Sequence, residues 1–167
     1  KEFIKLYLPP ANAMEVRVTG KKWLWQFDYP KENVSSLNEL VVPVNTPVKL
    51  IMSSVDVTHS FYIPNFRIKR DVIPNRYTRL WFNADKVGTY QVLCTEYCGD
   101  AHSSMMGIIK VVSYDDYLDW LASGDGGDDL PLDVLGEKLY VSKACNACHS
   151  MDGSDMTGPT WKGLYNK

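Results

Sequence analysis

The segment at residues 94–105 carries the strongest chemical signal in this chain. It reads C-T-E-Y-C-G-D-A-H-S-S-M, so two thiols, an imidazole and a thioether lie within twelve residues. Thiolate and thioether sulfurs are soft ligands, and together with imidazole they bind metals such as copper and zinc. The segment therefore predicts a site for a soft transition metal.

A second cluster, formed by Cys145, Cys148 and His149, has the C-x-x-C-H pattern by which haem c is attached covalently. The two clusters together contain all four cysteines and two of the three histidines, which leaves His59 to complete the metal site. A chain that concentrates its soft ligands in this way is predicted to transfer electrons.

Disulfide bonds within the two cysteine pairs are the alternative interpretation. They require an oxidising compartment. They also leave the neighbouring histidine, glutamate and methionine residues unexplained, whereas ligation of a metal or haem accounts for them.

Composition excludes several classes of protein. The chain has 167 residues, 45% of them hydrophobic, which favours a packed globular protein. Its formal net charge of −2 does not favour nucleic-acid binding, which normally uses a strongly basic face. The sequence lacks a signal peptide and an apolar run of about 18 residues, so we expect no membrane span in this chain. Its start without methionine predicts a mature or excised piece.

The elements that must position these ligands read as β-strands followed by helices. Apolar residues alternate with polar ones and turn residues separate the runs, a pattern typical of a β-sandwich or barrel. The runs with this alternation are 14–18, 23–29, 48–52, 80–82 and 90–92, and 107–112 would form the closing strand. Ser113 is a candidate helix N-cap. We expect three parts: a metal domain at 1–123, a flexible linker at 124–133 and a haem-attachment piece at 134–167.

Residues 14–120 resemble the dinuclear copper (CuA) domain of cytochrome c oxidase subunit II. The resemblance rests on the spacing C-x-E-x-C-x3-H-x2-M in 94–105 and on His59 within V-T-H-S-F-Y-I-P. It also includes the aromatic run W-L-W-Q-F at 23–27 and D-V-I-P-N-R at 71–76. This family implies a mainly β fold, a cupredoxin-like Greek-key β-sandwich that stands on the outer face of the membrane.

The resemblance implies a ligand for each position of a copper pair. Cys94 and Cys98 would bridge both ions, and His59 and His102 would each cap one. Met105 would be a weak axial ligand of one copper, and the backbone carbonyl of Glu96 would serve the other. Thiolate bridges are anionic and polarisable, so one electron is shared over two ions and bond lengths change little on reduction.

Further roles follow from the same resemblance. The carboxylate of Glu96 would point to a magnesium ion at the boundary with subunit I. Asp56 and Asp71 are either acids near that boundary or solvated turn residues. Trp23 resembles the tryptophan through which electrons enter from cytochrome c. Trp25 and Phe27 are expected to pack in the core, and so is Trp23 if it does not carry electrons.

Five alternatives to the copper pair of an oxidase subunit II differ in the residues they use. A single blue-copper site would leave one cysteine idle, and structural zinc would not need Met105 or His59. The copper domain of nitrous oxide reductase lacks a glutamate between the cysteines. A copper-delivery or storage module would have exposed ligands, and a quinol-oxidase subunit II lacks the copper ligands.

Residues 134–167 resemble the opening part of a class I cytochrome c, which some bacterial subunit II chains carry behind the copper domain. The resemblance adds the segment T-G-P-T-W-K-G-L at 157–164 to the C-x-x-C-H motif. Cys145 and Cys148 would form thioethers to haem c, and His149 would bind the iron. Met151 and Met156 lie too close to His149 to be the distal ligand, so the cytochrome is expected to be incomplete.

The function implied is that of an electron-transfer subunit of a haem-copper oxidase. Electrons would pass from cytochrome c through the copper pair to subunit I, where oxygen is reduced to water and protons are translocated. Subunit I and the other oxidase subunits, a cytochrome c donor and a membrane reached through N-terminal helices are the implied partners. The implied location is the extracytoplasmic face of a bacterial inner membrane.

Overall fold

The described part of the chain contains ten β-strands, the two α-helices Tyr114–Ala122 and Leu132–Ser142, and three short 3-10 helices. The structure is a computed structural model, and it describes residues 4, 7–123, 132–142 and 145–164. The strands are β1 (Met14–Lys21), β2 (Leu24–Tyr29), β3 (Val34–Leu37), β4 (Glu39–Pro43), β5 (Pro47–Ser54), β6 (His59–Ile63), β7 (Ile68–Val72), β8 (Thr78–Asn83), β9 (Gly88–Cys94) and β10 (Met106–Val112).

The strands form two sheets of five, which confirms the predicted sandwich. One sheet has the order β3-β2-β1-β5-β8 and the other has the order β4-β10-β9-β6-β7. The pairs β1–β5 and β4–β10 are parallel, whereas the other pairs are antiparallel. The chain changes sheet after β3, β4, β5, β7 and β8, as expected for Greek-key connections between two sheets.

The core lies between the two sheets and is rich in aromatic residues. Trp25, Phe27 and Phe61 are fully buried, and the Trp25 and Phe61 rings meet edge to face with centroids 5.0 Å apart. Alternate residues of β5, at positions 48, 50 and 52, are also fully buried. The period-2 pattern therefore identified the buried face correctly.

One aromatic residue departs from this pattern. Lys21 pairs with Leu24 across the β1–β2 hairpin, so Lys22 and Trp23 form its two-residue turn. The expectation that Trp23 lies on the same strand as Trp25 was wrong, because the strand begins one residue later. Trp23 is half-buried at the tip of the hairpin, on the side of the domain that holds the cysteines.

The edge strand β4 is protected by a side chain. The hydroxyl of Tyr29 donates to the carbonyl of Val41 at 3.0 Å and accepts from the N–H of Val41 at 2.8 Å. These are backbone groups that the neighbouring strand leaves unpaired, and an exposed edge would offer them to another chain. Burial raises the pKa of Tyr29, so the phenol stays protonated and keeps both bonds.

Helix α1 (Tyr114–Ala122) follows the last strand, and helix α2 (Leu132–Ser142) precedes the C-x-x-C-H motif. The side chain of Ser113 accepts a hydrogen bond from the Asp116 N–H at 3.1 Å, which confirms the predicted N-cap. Residues 124–131 of the predicted linker lie outside the described residues, and its last two residues already belong to α2. Within the described parts, neither helix is long and apolar enough to cross a bilayer.

Candidate metal centre

The candidate ligands come together at one end of the second sheet. His59 is the first residue of β6, and Cys94 is the last residue of the neighbouring β9. The loop 95–105 connects β9 to β10 at this end of the sheet. Its two ends are joined by a hydrogen bond from the Cys94 N–H to the Met105 carbonyl at 3.2 Å. Strand ends and one closed loop therefore hold the ligands.

The two cysteine sulfurs are close but not bonded to each other. Their Sγ atoms lie 3.8 Å apart, and both thiols are free and buried. A disulfide would require about 2.05 Å. A metal bound to thiolate at about 2.3 Å, the distance seen for zinc, can touch both sulfurs across this gap. The pair thus fits bridging of a metal, and the disulfide alternative is not formed in the structure.

His59 faces the sulfurs from inside the sandwich. Its ring is fully buried, its Nδ1 lies 3.8 Å from the Sγ of Cys94, and its edge packs against the Trp25 ring. His59, Cys94 and Cys98 offer ligand atoms that all lie within 4.8 Å of one another. Gly20 makes room for this ring, because a Cβ there would approach the imidazole to 2.9 Å.

His102 and Met105 complete the cluster from the other side. The Nδ1 of His102 lies 3.4 Å from the Sγ of Cys98, and the Sδ of Met105 lies 3.8 Å from the same sulfur. Met105 is buried, whereas Met106 is exposed, so Met105 is the one of these two methionines that lies in the cluster. The His102 ring is only partly buried and packs against the exposed Tyr97. Both histidines therefore present Nδ1 to the sulfurs.

The two thiols differ in acidity. Burial raises the pKa of Cys94, but the hydrogen bonds to its sulfur, of which the one with His59 is the strongest, together outweigh burial and lower the pKa to about 6. Burial and the charge on Cys94 raise the pKa of Cys98. Since the thiolate is the form that binds metal, Cys94 is prepared to bind first. This donor chemistry fits a soft metal ion such as copper.

Glu96 contributes its backbone rather than its side chain. Its carbonyl accepts a hydrogen bond from the Cys94 thiol at 3.3 Å, which brings that oxygen to the edge of the cluster. Its carboxylate is exposed. Among the described residues, no group of three or more metal-ligating side chains includes Glu96.

Trp23 reaches the cluster although it is not a ligand. Its indole N–H donates to the Cys98 carbonyl at 3.3 Å, and its ring lies against Gly99, where a Cβ would come within 3.2 Å of it. Gly99 has a φ of 122°, which a residue with a side chain rarely adopts. The open glycine therefore lets the indole approach the metal-binding loop.

Asp56 contacts His59 and the β1–β2 turn, which the residue pattern did not predict. Its Oδ1 lies 2.8 Å from the Nε2 of His59, while its Oδ2 accepts from the Lys22 N–H at 2.7 Å. Asp71 instead accepts a bond from the hydroxyl of Ser60 at 2.7 Å. The only signal in the sequence was the proximity of an acid to a candidate ligand three residues later.

The C-x-x-C-H motif forms a compact turn after α2. Cys145 begins a short 3-10 turn and its carbonyl accepts from the His149 N–H at 2.9 Å, so both cysteines and the histidine are adjacent. The Nδ1 of His149 lies 2.8 Å from the Pro159 carbonyl. Because a carbonyl only accepts, Nδ1 must carry the proton, and Nε2 is the nitrogen with a free lone pair. The Trp161 ring stacks on this imidazole at 5.1 Å.

The chain is similar to known proteins over the β-sandwich. The model of the family described as cytochrome c oxidase subunit II, periplasmic domain, matches residues 32–112. The alternative cytochrome c oxidase subunit 2 of Bradyrhizobium diazoefficiens is 35% identical over 142 residues, covering 67% of this chain and 51% of that protein. The cytochrome c oxidase subunit 2 of Synechocystis is 41% identical over 113 residues, covering 68% and 34%. This chain thus spans about half or less of these relatives.

A solved structure covers the same region. The crystal structure of the periplasmic domain of subunit II of cytochrome oxidase from Bradyrhizobium japonicum matches with a TM-score of 0.66 and 32% identity. The match covers 70% of this chain and 96% of that domain. The predicted cupredoxin-like sandwich is thereby confirmed. On this match in sequence and fold, the chain belongs to the family of cytochrome c oxidase subunit II periplasmic domains.

Proposed function

We propose that this chain carries electrons from a cytochrome c to a haem-copper oxidase through a dinuclear copper centre. One observation carries the proposal: five side chains from β6, β9 and a single loop converge with sulfur at the middle and imidazole on both sides. These are His59, Cys94, Cys98, His102 and Met105. Soft sulfur with imidazole is a donor set suited to copper.

Each side chain has a distinct part in this proposal. Cys94 and Cys98 would hold both ions, because their free sulfurs face each other across 3.8 Å. His59 would bind from the buried side and His102 from the half-buried side. Met105 and the Glu96 carbonyl would contribute weak ligands. The bound copper pair would supply a one-electron redox couple, and the sandwich would keep its ligands fixed in both redox states.

The two cysteine positions weigh against the mononuclear alternatives. A blue-copper site needs one cysteine and two histidines, yet here each histidine lies beside a different sulfur. Structural zinc would make Met105 unnecessary, although its sulfur is buried within 3.8 Å of Cys98. The glutamate between the cysteines, Glu96, disfavours the nitrous oxide reductase domain. The buried ligands disfavour an exchangeable delivery site.

We infer that electrons enter through Trp23. It is half-buried at the tip of a hairpin, and its indole is hydrogen-bonded to the backbone of the ligand Cys98. An incoming cytochrome c could therefore meet the ring at the surface, one hydrogen bond away from the centre. The packing role of Trp25 and Phe27, in contrast, follows from their complete burial.

The partners proposed are those of a whole oxidase. Electrons would leave for subunit I, where oxygen is reduced to water with proton translocation. One solved structure of 28% identity and TM-score 0.51 is a heme-copper terminal oxidase dimer, which supports such an assembly. The periplasmic domain of the family supports an extracytoplasmic location. Anchoring by helices N-terminal to this chain, and magnesium held by Glu96 with subunit I, remain proposals from the family resemblance.

Covalent haem is a second proposed cofactor. The hydrogen bond between His149 and Pro159 favours it, because it leaves Nε2 free to bind iron. Gly158 supports the same proposal because it leaves room for the His149 ring: a Cβ at position 158 would approach the imidazole to 2.6 Å. The region from residue 134 would then be the opening of a fused cytochrome c domain. Expression with a haem-c maturation system should give chain with haem held by two thioethers, and Cys148→Ser should leave at most one thioether, from Cys145.

Copper addition tests the main proposal. The apo chain is loaded with copper and examined by metal analysis, optical absorption and electron spin resonance. We expect two coppers per chain and hyperfine splitting from two equivalent copper nuclei. Splitting from a single nucleus, or a single copper per chain at saturation, would contradict the proposal.

A further inference from the structure

We propose that Asp56 is a positioning residue for the metal centre. Its carboxylate fixes the ring of His59 and, through the backbone of Lys22, the turn that carries Trp23. This inference rests on the proposed function, because it assigns His59 as a ligand and Trp23 as the place where electrons enter. It adds Asp56 as the side chain that fixes the position of both His59 and the turn carrying Trp23.

The first half of the argument is the tautomer of His59. The Oδ1 of Asp56 lies 2.8 Å from Nε2 of the imidazole. A carboxylate only accepts hydrogen bonds, so a neutral His59 carries its proton on Nε2. The lone pair then lies on Nδ1, which faces the Cys94 sulfur at 3.8 Å. Ligating histidines commonly donate their other N–H to a carboxylate, which fixes the ring and strengthens the ligand.

The carboxylate is itself held in place. Its Oδ1 also accepts from the Val57 N–H at 2.6 Å and from the Ser54 hydroxyl at 3.2 Å. The side chain of Asp56 is 29% exposed, whereas that of His59 is fully buried. The buried imidazole therefore meets a carboxylate whose position is set by the backbone of the loop, so the ring has little freedom to rotate.

The second half of the argument is the turn at the tip of the β1–β2 hairpin. The Lys22 N–H donates to Oδ2 of Asp56 at 2.7 Å, and the next residue, Trp23, donates to the Cys98 carbonyl. The turn is thus attached to the centre at two points. One of them is the same carboxylate that orients His59.

Only a group with two acceptor oxygens can do both tasks. The amide introduced by Asp56→Asn would keep one oxygen, so either His59 or Lys22 loses its acceptor. Asp56→Ala removes both. A negative charge next to His59 also favours the oxidised form of the metal, since that form carries the extra positive charge. Removing it should shift the reduction potential of the centre to a more positive value.

The test compares Asp56→Asn and Asp56→Ala with Glu15→Gln in the full chain. Glu15, on β1, is the matched control because its side chain is also 29% exposed. It forms an ion pair with Lys49 of β5 at 2.7 Å, away from the proposed ligands. Loss of an outer partner typically lowers metal affinity about 10- to 100-fold. We expect that loss in Asp56→Ala and the same or a smaller loss in Asp56→Asn, measured by competition with a copper chelator, together with a more positive potential in both variants. Glu15→Gln should match the wild type.

Two measurements on the apo chain keep the test independent of copper loading. At a pH where the imidazole is neutral, nitrogen NMR should show His59 protonated on Nε2 in the wild type and a tautomer mixture in Asp56→Ala. Hydrogen exchange should show a faster Lys22 amide in that variant. If affinity, potential, tautomer and exchange all match the wild type, the positioning role is wrong while the two-copper centre stands. If the wild type shows no two-copper signal, the proposed function and this inference both fail.

Discussion

The indole N–H of Trp23 donates a hydrogen bond to the backbone carbonyl of Cys98 at 3.3 Å. The two residues are 75 positions apart in the chain, and the bond joins the tip of the β1–β2 hairpin to the loop that carries the candidate ligands. This loop approaches the ring closely because Gly99 has no side chain. A surface aromatic residue is therefore one hydrogen bond away from the backbone of a candidate ligand.

Replacing Trp23 with phenylalanine should slow electron uptake without changing the copper spectrum. Phenylalanine keeps an aromatic ring but loses the N–H that contacts Cys98. We expect the rate of reduction by cytochrome c, followed by stopped flow, to fall about tenfold or more, which corresponds to about 1.4 kcal/mol of barrier. Trp81→Phe, a half-buried tryptophan on β8, is the control and should react at the wild-type rate. An unchanged rate in Trp23→Phe would exclude Trp23 as the point where electrons enter.

Replacing Cys98 with serine should abolish the two-copper signal. One thiolate remains at Cys94, and a hydroxyl is a poor bridge for copper, so the variant should hold a single copper at most. Electron spin resonance should then show splitting from one copper nucleus. Cys145→Ser is the matched control, since that cysteine belongs to the separate C-x-x-C-H turn. A two-nucleus signal in Cys98→Ser would show that this sulfur does not bridge.

Replacing Gly20 with alanine should disturb the centre from the core side. The new Cβ would lie 2.9 Å from Cδ2 of His59, whose ring is confined by Trp25. The ring must move, so we expect weaker copper binding, measured by chelator competition. Gly136→Ala is the control, because a Cβ there meets nothing within 4 Å and alanine is favoured in a helix by about 0.5–1 kcal/mol. Equal affinity in both variants would mean that His59 tolerates displacement.

Replacing Tyr29 with phenylalanine should destabilise the domain. It leaves the N–H and carbonyl of Val41 without the hydroxyl that pairs them, and an unsatisfied buried group costs about 1–3 kcal/mol. Urea unfolding should show a loss of that size. Tyr117→Phe provides the contrast, because its buried hydroxyl has no hydrogen-bond partner among the described residues, so its removal should be neutral or stabilising. A similar loss in both variants would argue against the role of Tyr29.

The alternation of apolar residues was sufficient to predict most of the strands, because β5 and β9 each bury one face. The spacing within 94–105 likewise grouped four of the five side chains that converge, since Cys98, His102 and Met105 lie in the loop that starts directly after Cys94. Trp23 was misplaced because the aromatic alternation continues one step beyond the end of the strand. The contact of Asp56 with His59 depends on how the loop between β5 and β6 folds. Outside a helix, a spacing of three residues does not determine whether two side chains point toward each other.

His59 is sealed inside the sandwich, whereas His102 lies partly open beside Tyr97. The cluster is consequently closed to solvent on the side of His59 and accessible on the side of His102. Among the described residues, the side open to chelators and copper donors is that of His102, where the loop 95–105 meets water. Exchange of metal at this centre should therefore depend on the movement of that loop. The side formed by β6 should stay in place during exchange.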